Sequence, residues 1–485
     1  MKRHRRYTIA ALAIVGLVMV APRLATFLAA GQSPAVSPAV PKYIFVFLAD
    51  GAGIPQMEIT RQYNRIIHNE GLVITDRIIK EGTLGLSTTH AADSLSTDSA
   101  AAATALASGC KAKVGALGIC DDGTIPKTVL EIAKENGMRI GLVTNSTIYD
   151  ASPAAFAGHV PNRRYYNRIV DQYLRLGVDL LLGGGRDQFL PQKQPGSTRK
   201  DDNDMIAAFI KQGYTYVSDK LELSRAKGSK LLGLFSLQEM SLELDRDKDK
   251  EPSLSEMTEA AIPFLLERNQ RGFMLFIENE NTDVAGHLID IASVIHAYRE
   301  FDRTLGLAYE FYRKHPRETL ILATSDHDTG GVGFTLTALA EPTSRNAQRL
   351  TATDQDLKKI ASIPISLRKA GEILGPNPTP DAVDQLMKEY FKGFTLAADL
   401  KKMLLSRQIA SRSIFTDPVI AALGLMVANN TQVYWSTGGH TNHPVFVAAL
   451  GPGAEKFRGY QDNTDFGKNL KAILETGNRI RATSR

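Results

Sequence analysis

Cysteine is scarce in this chain, with 2 in 485 residues. That excludes a disulfide-framework fold and any zinc module built on cysteine clusters. Tryptophan is scarcer still: Trp435 stands alone. Beyond the first thirty residues no apolar run approaches the roughly 20 residues that span a bilayer. A basic footprint is missing too. Lys and Arg number 57 against 52 Asp and Glu, a net charge of +5, yet Lys2, Arg3, Arg5, Arg6 and Arg23 supply that whole surplus in a stretch without acidic residues. The remaining body is formally neutral, which argues against general nucleic-acid binding. Apolar residues are plentiful. At 43% hydrophobic and 22% charged, the chain buries a large core and is not disordered. Its length suits about three average domains or one elaborated α/β domain.

The amino terminus reads as an export signal. MKRHRRYTIAALAIVGLVMVA joins a cationic start to an apolar run from Ile9 to Ala21, which is signal-peptide length and short for a membrane span. Pro22 and Arg23 interrupt the cleavage region, and Leu28-Ala29-Ala30 is the next candidate site. Residues 1–30 are therefore either cleaved or kept as an inner-membrane anchor, and the body is periplasmic or extracellular. Residues 31–41, GQSPAVSPAVP, read as a semi-extended linker. In an oxidising compartment Cys110 and Cys120 either pair locally or stay as two buried thiols.

Short apolar runs alternate with helical patterns through the body. Tyr43–Ala49, Arg139–Val143, Val178–Leu182, Phe273–Ile277, Thr319–Ala323 and Val445–Leu450 read as buried strands. Pro126–Asn136 reads as a helix stopped by Gly137. Such alternation predicts an α/β fold: a doubly wound, mostly parallel central sheet with helices on both faces. Ligands bind such sheets beyond the carboxyl ends of the strands, where Asp50, Glu278 and Asp326-His327 fall and near which His440 lies. From about 332 to 433 the strand pattern lapses into helical stretches such as Asp381–Phe394 and Ala397–Arg407. This reads as an insertion that lids the crevice or packs a second subunit. SLELDRDKDKEPS (241–253) reads as a solvated loop.

The chemistry sits in acidic and histidine clusters. In Glu278-Asn-Glu-Asn-Thr-Asp283-Val-Ala-Gly-His287, one helical turn aims Asp283 and His287 at the same point. Two His and one Asp leave zinc an open position for substrate or water. Asp326-His327 is a similar pair, and His440 in TGGHTNHP competes with His443 for a ligand role. Ser99 opens the Ala-rich stretch STDSAAAATALASG, where a helix amino terminus attracts an anion; a helix cap is the plainer reading. Asp150-Ala-Ser152 offers oxygen donors two apart that suit magnesium, and Arg163 has the planar fork that grips two phosphate oxygens. Asp50-Gly-Ala-Gly53 lets backbone approach a bound group closely.

Taken in order, Asp-Gly-x-Gly, Asp-Ser-Ala-x-x-x-Thr-Ala, Asp-x-Ser-Pro-Ala, Glu-x4-Asp-x3-His, Ser-Asp-His and Gly-His-Thr closely resemble the alkaline phosphatases, from Asp50 to His440. The resemblance implies one catalytic domain over residues 42–485, with Ser99 as a nucleophile that becomes phosphoserine and Arg163 as the phosphate clamp. It implies two zinc ions and one magnesium ion per subunit. Asp283, His287 and His440 match the first zinc site, which serves the attack of water. His440 is preferred over His443 because Gly451-Pro452 follows it at the family's spacing. Asp50, Asp326 and His327 match the second zinc site, which serves the serine. Asp50 also faces the magnesium site, completed by Asp150, Ser152 and Glu278. The family further implies small phosphomonoester substrates, activity at alkaline pH and a homodimer embraced by the insertion.

Departures from the pattern are informative. Val284 stands where many relatives carry Lys, His or Trp, so a cationic or aromatic contact to phosphate is missing there. Ser152 replaces a more usual Thr and keeps the oxygen. Trp435 either lines the mouth of the crevice or packs in the core. Two readings compete with the monoesterase: a phosphodiesterase or sulfatase of the same superfamily, and a non-catalytic exported protein braced by metals. Ala101 stands where sulfatase maturation requires proline, and Arg163 suits a dianionic monoester better than a diester.

Overall fold

Seven successive buried residues make β1 (Tyr43–Ala49), and their side chains divide strictly by twos. Ile44, Val46 and Leu48 join one apolar layer, while Tyr43, Phe45 and Phe47 join the other. This is what a strand buried on both faces requires. In the computed structural model, which describes residues 40–267, 269–338, 349–409, 414–415 and 417–483, β1 lies within a ten-stranded sheet. The other strands are β2 (Thr83–Ser87), β3 (Arg139–Thr147), β4 (Leu180–Gly184), β5 (Tyr214–Val217), β6 (Lys230–Leu234), β7 (Phe273–Asn279), β8 (Thr319–Thr324), β9 (Val445–Leu450) and β10 (Gly459–Gln461). Their spatial order is β10-β2-β9-β8-β1-β7-β3-β4-β6-β5. All neighbours pair in parallel except β9, which runs antiparallel to both β8 and β2.

That reversal matters for function. In the parallel strands, the residues that follow a strand reach the carboxyl edge of the sheet. In β9 it is the residues before the strand that reach that edge, so His440 arrives beside the ends of β1, β7 and β8.

Six helices position the site: α1 (Ile54–Tyr63), α2 (Ser99–Ser108), α3 (Ala151–Ala157), α4 (Asn281–His287), α5 (Ile291–Lys314) and α6 (Pro418–Thr431). Every residue of α2 is buried. Its alanines and the Gly467 backbone let the carboxy-terminal helix (Asn463–Thr483) approach closely: a Cβ at Gly467 would lie 2.6 Å from the Gly109 nitrogen.

Between Gly333 and Val433 the chain is chiefly helical, with helices Asp354–Ala361, Leu367–Leu374, Pro380–Tyr390, Ala398–Ser406 and α6. Residues 339–348, 410–413 and 416 of this segment lie outside the described residues. It has an apolar cluster of its own, into which the body inserts Ile59 and Tyr63 of α1 and Ile291, Val294 and Ile295 of α5. Shared burial of this kind fastens the segment to the body. Trp435 packs against the same cluster, its indole over Gly330.

The 241–253 stretch is less solvated than its charge implies. Leu242 is buried, and the Arg246 guanidinium is held by Glu243 at 2.8 Å with little exposure on either side chain. Residues 1–39, on which the expected signal and most of the expected linker fall, lie outside the described residues. Among the described residues no helix is long and apolar enough to cross a membrane.

Cys110 and Cys120 form a disulfide that closes a loop ten residues apart in sequence. This loop carries Gly115, whose N–H donates to both Asp98 carboxylate oxygens at 3.1 Å and whose carbonyl accepts from the Arg163 backbone at 2.7 Å. The bridge thus braces two residues of the site described below. Replacing both cysteines by serine is expected to lower stability by about 3 kcal/mol through the loop entropy restored to the unfolded chain. An unchanged denaturation midpoint would refute this.

Candidate active site

Backbone geometry first makes room at the sheet edge. The Asp50 N–H donates to the Asn279 carbonyl at 3.0 Å, tying the end of β1 to β7. Gly51 follows with φ +67°, and a Cβ there would lie 2.6 Å from Asp283 Cα. Only glycine fits both the dihedral and the contact, so the turn lets α4 settle directly on the end of β1.

On α4, Asp283 and His287 face one another as their spacing predicts, with Asp283 Oδ2 to His287 Nε2 at 3.2 Å. His440 completes a cluster: its Nε2 lies 3.0 Å from His287 Nε2 and 3.6 Å from Asp283 Oδ1. Nδ1–H of His440 donates to the Thr97 carbonyl at 2.7 Å, and Nδ1–H of His287 donates to the Gly438 carbonyl at 2.8 Å. A carbonyl only accepts, so each ring keeps a proton on Nδ1 and turns Nε2 toward the other ring. Burial pulls the His287 imidazole down, but the Asp283 carboxylate outweighs it and the ring is pushed up to about 9. Burial and the neighbouring His327 push His440 down to about 4. Burial also acts to raise Asp283, yet the three imidazoles hold its carboxyl well below the usual range. His443, by contrast, turns toward Asp328, 3.4 Å away.

His327 is fully buried beneath this group, its ring stacked on His440 with centroids 3.6 Å apart. Its Nε2 lies 3.0 Å from Asp326 Oδ2, 3.8 Å from Asp50 Oδ1 and 3.4 Å from Ser99 Oγ. Asp283, His327 and His440 bring one donor atom each within 4.8 Å of one another, as do Asp50, Asp326 and His327.

Ser99 is not the cap of α2. Asp98 holds that place and accepts from the Ala101 N–H at 3.0 Å. Ser99 is the first helical residue, buried, with its hydroxyl directed to His327. Because capping is met by its neighbour, the Ser99 hydroxyl is available to the site.

Arg163 stands between two carboxylates, with Asp150 Oδ1 at 2.8 Å and Asp98 Oδ2 at 3.4 Å. Burial opposes its charge, but Asp150, Asp98 and Glu280 raise its affinity for the proton further. Asp150 caps α3 and is turned toward Arg163. Ser152 Oγ donates to Asp50 Oδ2 at 3.0 Å, and Thr144 Oγ1 donates to Glu278 Oε2 at 2.6 Å.

Glu280 joins Asp50 and Glu278, with one oxygen of each within 4.8 Å of the others. The sequence motifs alone do not single out Glu280. Its signal was the Glu-Asn-Glu spacing, since residues two apart on extended backbone share a face. Asp98, with its double duty as cap and arginine anchor, was likewise given no role.

Asp50 Oδ1 and Glu278 Oε1 are buried and accept no hydrogen bond among the described residues. Burial, with Asp326, Asp283 and Glu278 alongside, raises Asp50 well above the usual carboxylate range. Burial pushes Glu278 up to about 8. Unpaired buried carboxylates are costly unless a cation joins them. Together with facing imidazole nitrogens they fit divalent metal ions: mixed nitrogen and oxygen donors on one side, oxygen donors alone on the other.

Comparisons with known proteins agree with this geometry. The alkaline phosphatase family profile matches residues 41–476. Alkaline phosphatase 3 of Bacillus subtilis is 33% identical over 449 residues, covering 90% of each chain. The alkaline phosphatase of Schizosaccharomyces pombe is 30% identical, covering 90% of this chain and 81% of its own. Among solved structures, the Thermus thermophilus alkaline phosphatase superposes with a TM-score of 0.80 at 28% identity, covering 92% of this chain and 94% of its own. The cold-active enzyme of a Shewanella species gives 0.72 at 28% identity, over 89% and 99%. With its sheet, its metal-fitting clusters and this similarity along nearly all the described body, the chain belongs to the alkaline phosphatase family and is a metal-dependent phosphomonoester hydrolase.

Proposed function

We propose that the chain hydrolyses small phosphate monoesters outside the cytoplasm, at alkaline pH, through a phosphoserine formed on Ser99. The observation that carries this reading is the Ser99 hydroxyl, 3.4 Å from His327 Nε2 at the amino terminus of α2 and freed from capping by Asp98. In the first half, a bond forms between Ser99 Oγ and phosphorus while the ester P–O bond breaks and the alcohol leaves with a proton. In the second, water oxygen bonds to phosphorus and the Oγ–P bond breaks, restoring the serine. Backbone N–H groups of α2 favour the anion held beside Ser99. Arg163, aimed by Asp150 and Asp98, offers its fork to two phosphate oxygens.

We assign zinc to Asp283, His287 and His440 and to Asp50, Asp326 and His327, and magnesium to Asp50, Asp150, Ser152 and Glu278. Bound there, these ions supply charge neutralisation for the entering and leaving oxygens and ease ionisation of the serine. Ligands bind metal only when deprotonated, so His287 and Glu278 favour loading as pH rises, in keeping with alkaline activity. Residues 1–30 are read as the export signal or an anchor, 31–41 as a linker, 42–485 as the catalytic domain, and the helical insertion as a surface for a homodimer.

Acid quenching of the full chain with radiolabelled inorganic phosphate at mildly acidic pH is expected to leave label on the peptide containing Ser99. Label elsewhere, or turnover without any trapped label, would count against the serine pathway.

Val284 gives a separate prediction. It sits beside Asp283 on α4, partly exposed, and offers no charge to a bound dianion. Val284→Lys is expected to tighten inhibition by product phosphate about tenfold, the worth of one added charge-assisted contact. Equal inhibition constants in the two proteins would exclude a phosphate-facing role for this position.

A further inference from the structure

Glu280 occupies the turn between β7 and α4, and its direction is fixed. Its backbone N–H donates to Asn145 Oδ1 at 2.8 Å, and Asn145 is locked in turn to Asn279 by a bond of 3.2 Å. The Glu280 carboxylate stands within 4.8 Å of an oxygen of Asp50 and of Glu278, which is the place of the oxygen-only donors. The charges of Asp150 and Asp283 also act on it there. Among the described residues no hydrogen bond or ion pair reaches it. Arg163, whose charge Glu280 supports from a distance, directs its fork to Asp150 and Asp98.

A separate observation points to a ligand at the same spot. Asp50 and Glu278 are both wholly buried, and each keeps one oxygen unpaired. Those two residues and Glu280 can each place an oxygen within 4.8 Å of the others. Three anionic groups gathered this tightly repel one another strongly in a water-poor setting. Such groups either take up protons or share a cation, and a divalent cation at their centre lets all three keep their charge. Neither imidazole nor thiol takes part, so the set suits a hard ion such as magnesium.

We propose that Glu280 is a further ligand of the hard-cation site, joining Asp50, Asp150, Glu278 and the Ser152 hydroxyl around the ion. This rests on the assignment of magnesium to Asp50, Asp150, Ser152 and Glu278 and adds a charge to it. Affinity of oxygen sites rises with the number of charged ligands, so the chain retains this ion more firmly than the same site without Glu280 would.

The test is direct binding. The full chain, chelated and reloaded with zinc alone, is titrated with Mg2+ by calorimetry and with Mn2+ by electron paramagnetic resonance. Glu280→Gln is expected to weaken binding of both ions about tenfold or more, with zinc content unchanged and the melting temperature of the zinc-only protein no lower than that of wild type. Glu278→Gln is measured in parallel. If Glu278→Gln loses Mg2+ while Glu280→Gln binds within twofold of wild type, the proposal is overturned and the site assignment stands. If neither variant alters binding, the assignment itself fails. A Glu280→Gln variant that keeps Mg2+ but changes the affinity for inorganic phosphate would place Glu280 on Arg163 and substrate, and would also overturn the proposal.

Discussion

Ser99→Ala is expected to lower kcat for p-nitrophenyl phosphate by about 10^3-fold or more, equivalent to about 4 kcal/mol of barrier, with little change in stability. The two readouts separate because the structure divides the duties of two neighbours. Asp98 caps α2 and accepts from Gly115 and Ala101, so it carries the local stability. Ser99 contributes a hydroxyl whose contact in the fold is a 3.4 Å approach to His327. Alanine is the best helix former and fits the first turn without strain, so the helix start survives. Zinc content equal to wild type would show that the cluster beneath is intact. Turnover within tenfold of wild type, with metals loaded, would mean that water attacks phosphorus directly and that Ser99 is only a lining residue.

How much of this was legible before the fold was seen depends on where each residue lies. Central strands announce themselves because burial on both faces demands unbroken apolar runs: β1 and β9 match their expected bounds, and β7 and β8 extend by one or two residues. Strands toward the sheet's edges do not. β2 reads TLGLS with Leu84 exposed, and β10 is only GYQ, so neither shows the pattern of a buried strand. The direction of β9 was not legible at all, since an apolar run carries no polarity. Yet that direction is what delivers His440. Asp283 and His287 were legible because their i, i+4 spacing on one helix is local. Glu280 was hidden because Glu-Asn-Glu-Asn looks like a polar turn, and only the neighbouring ends of β1 and β3 show what it faces. Asp98 was hidden for the opposite reason: Ser99 was the more conspicuous residue, and the cap was credited to it.

Metal removal should have the broadest effect, on stability as well as activity. Chelation of the full chain is expected to abolish monoester hydrolysis, and zinc with magnesium to restore it. Each ion bound to the native state alone adds about 4 kcal/mol of stability at a thousandfold excess over its Kd, so the chelated protein melts lower. The size of that drop should depend on pH, with a sign that the site dictates. Glu278 is raised to about 8 by burial and His287 to about 9 against Asp283, while Asp50 is raised as well. Between pH 6.5 and 9 the metal-free native state therefore holds more protons than the unfolded chain. Under that condition stability falls as pH rises. His440, lowered to about 4, acts in the opposite sense, but only below its unfolded value near 6.5. Bound cations displace these protons and remove the penalty. The gap in melting temperature between loaded and chelated protein should thus be wider at pH 9 than at pH 6.5, readable by calorimetry or by the fluorescence of the single tryptophan, Trp435, over Gly330. A gap that is constant or narrows toward pH 9 would show that cations do not occupy the carboxylate and imidazole clusters, and the assignment of the metals would have to move elsewhere.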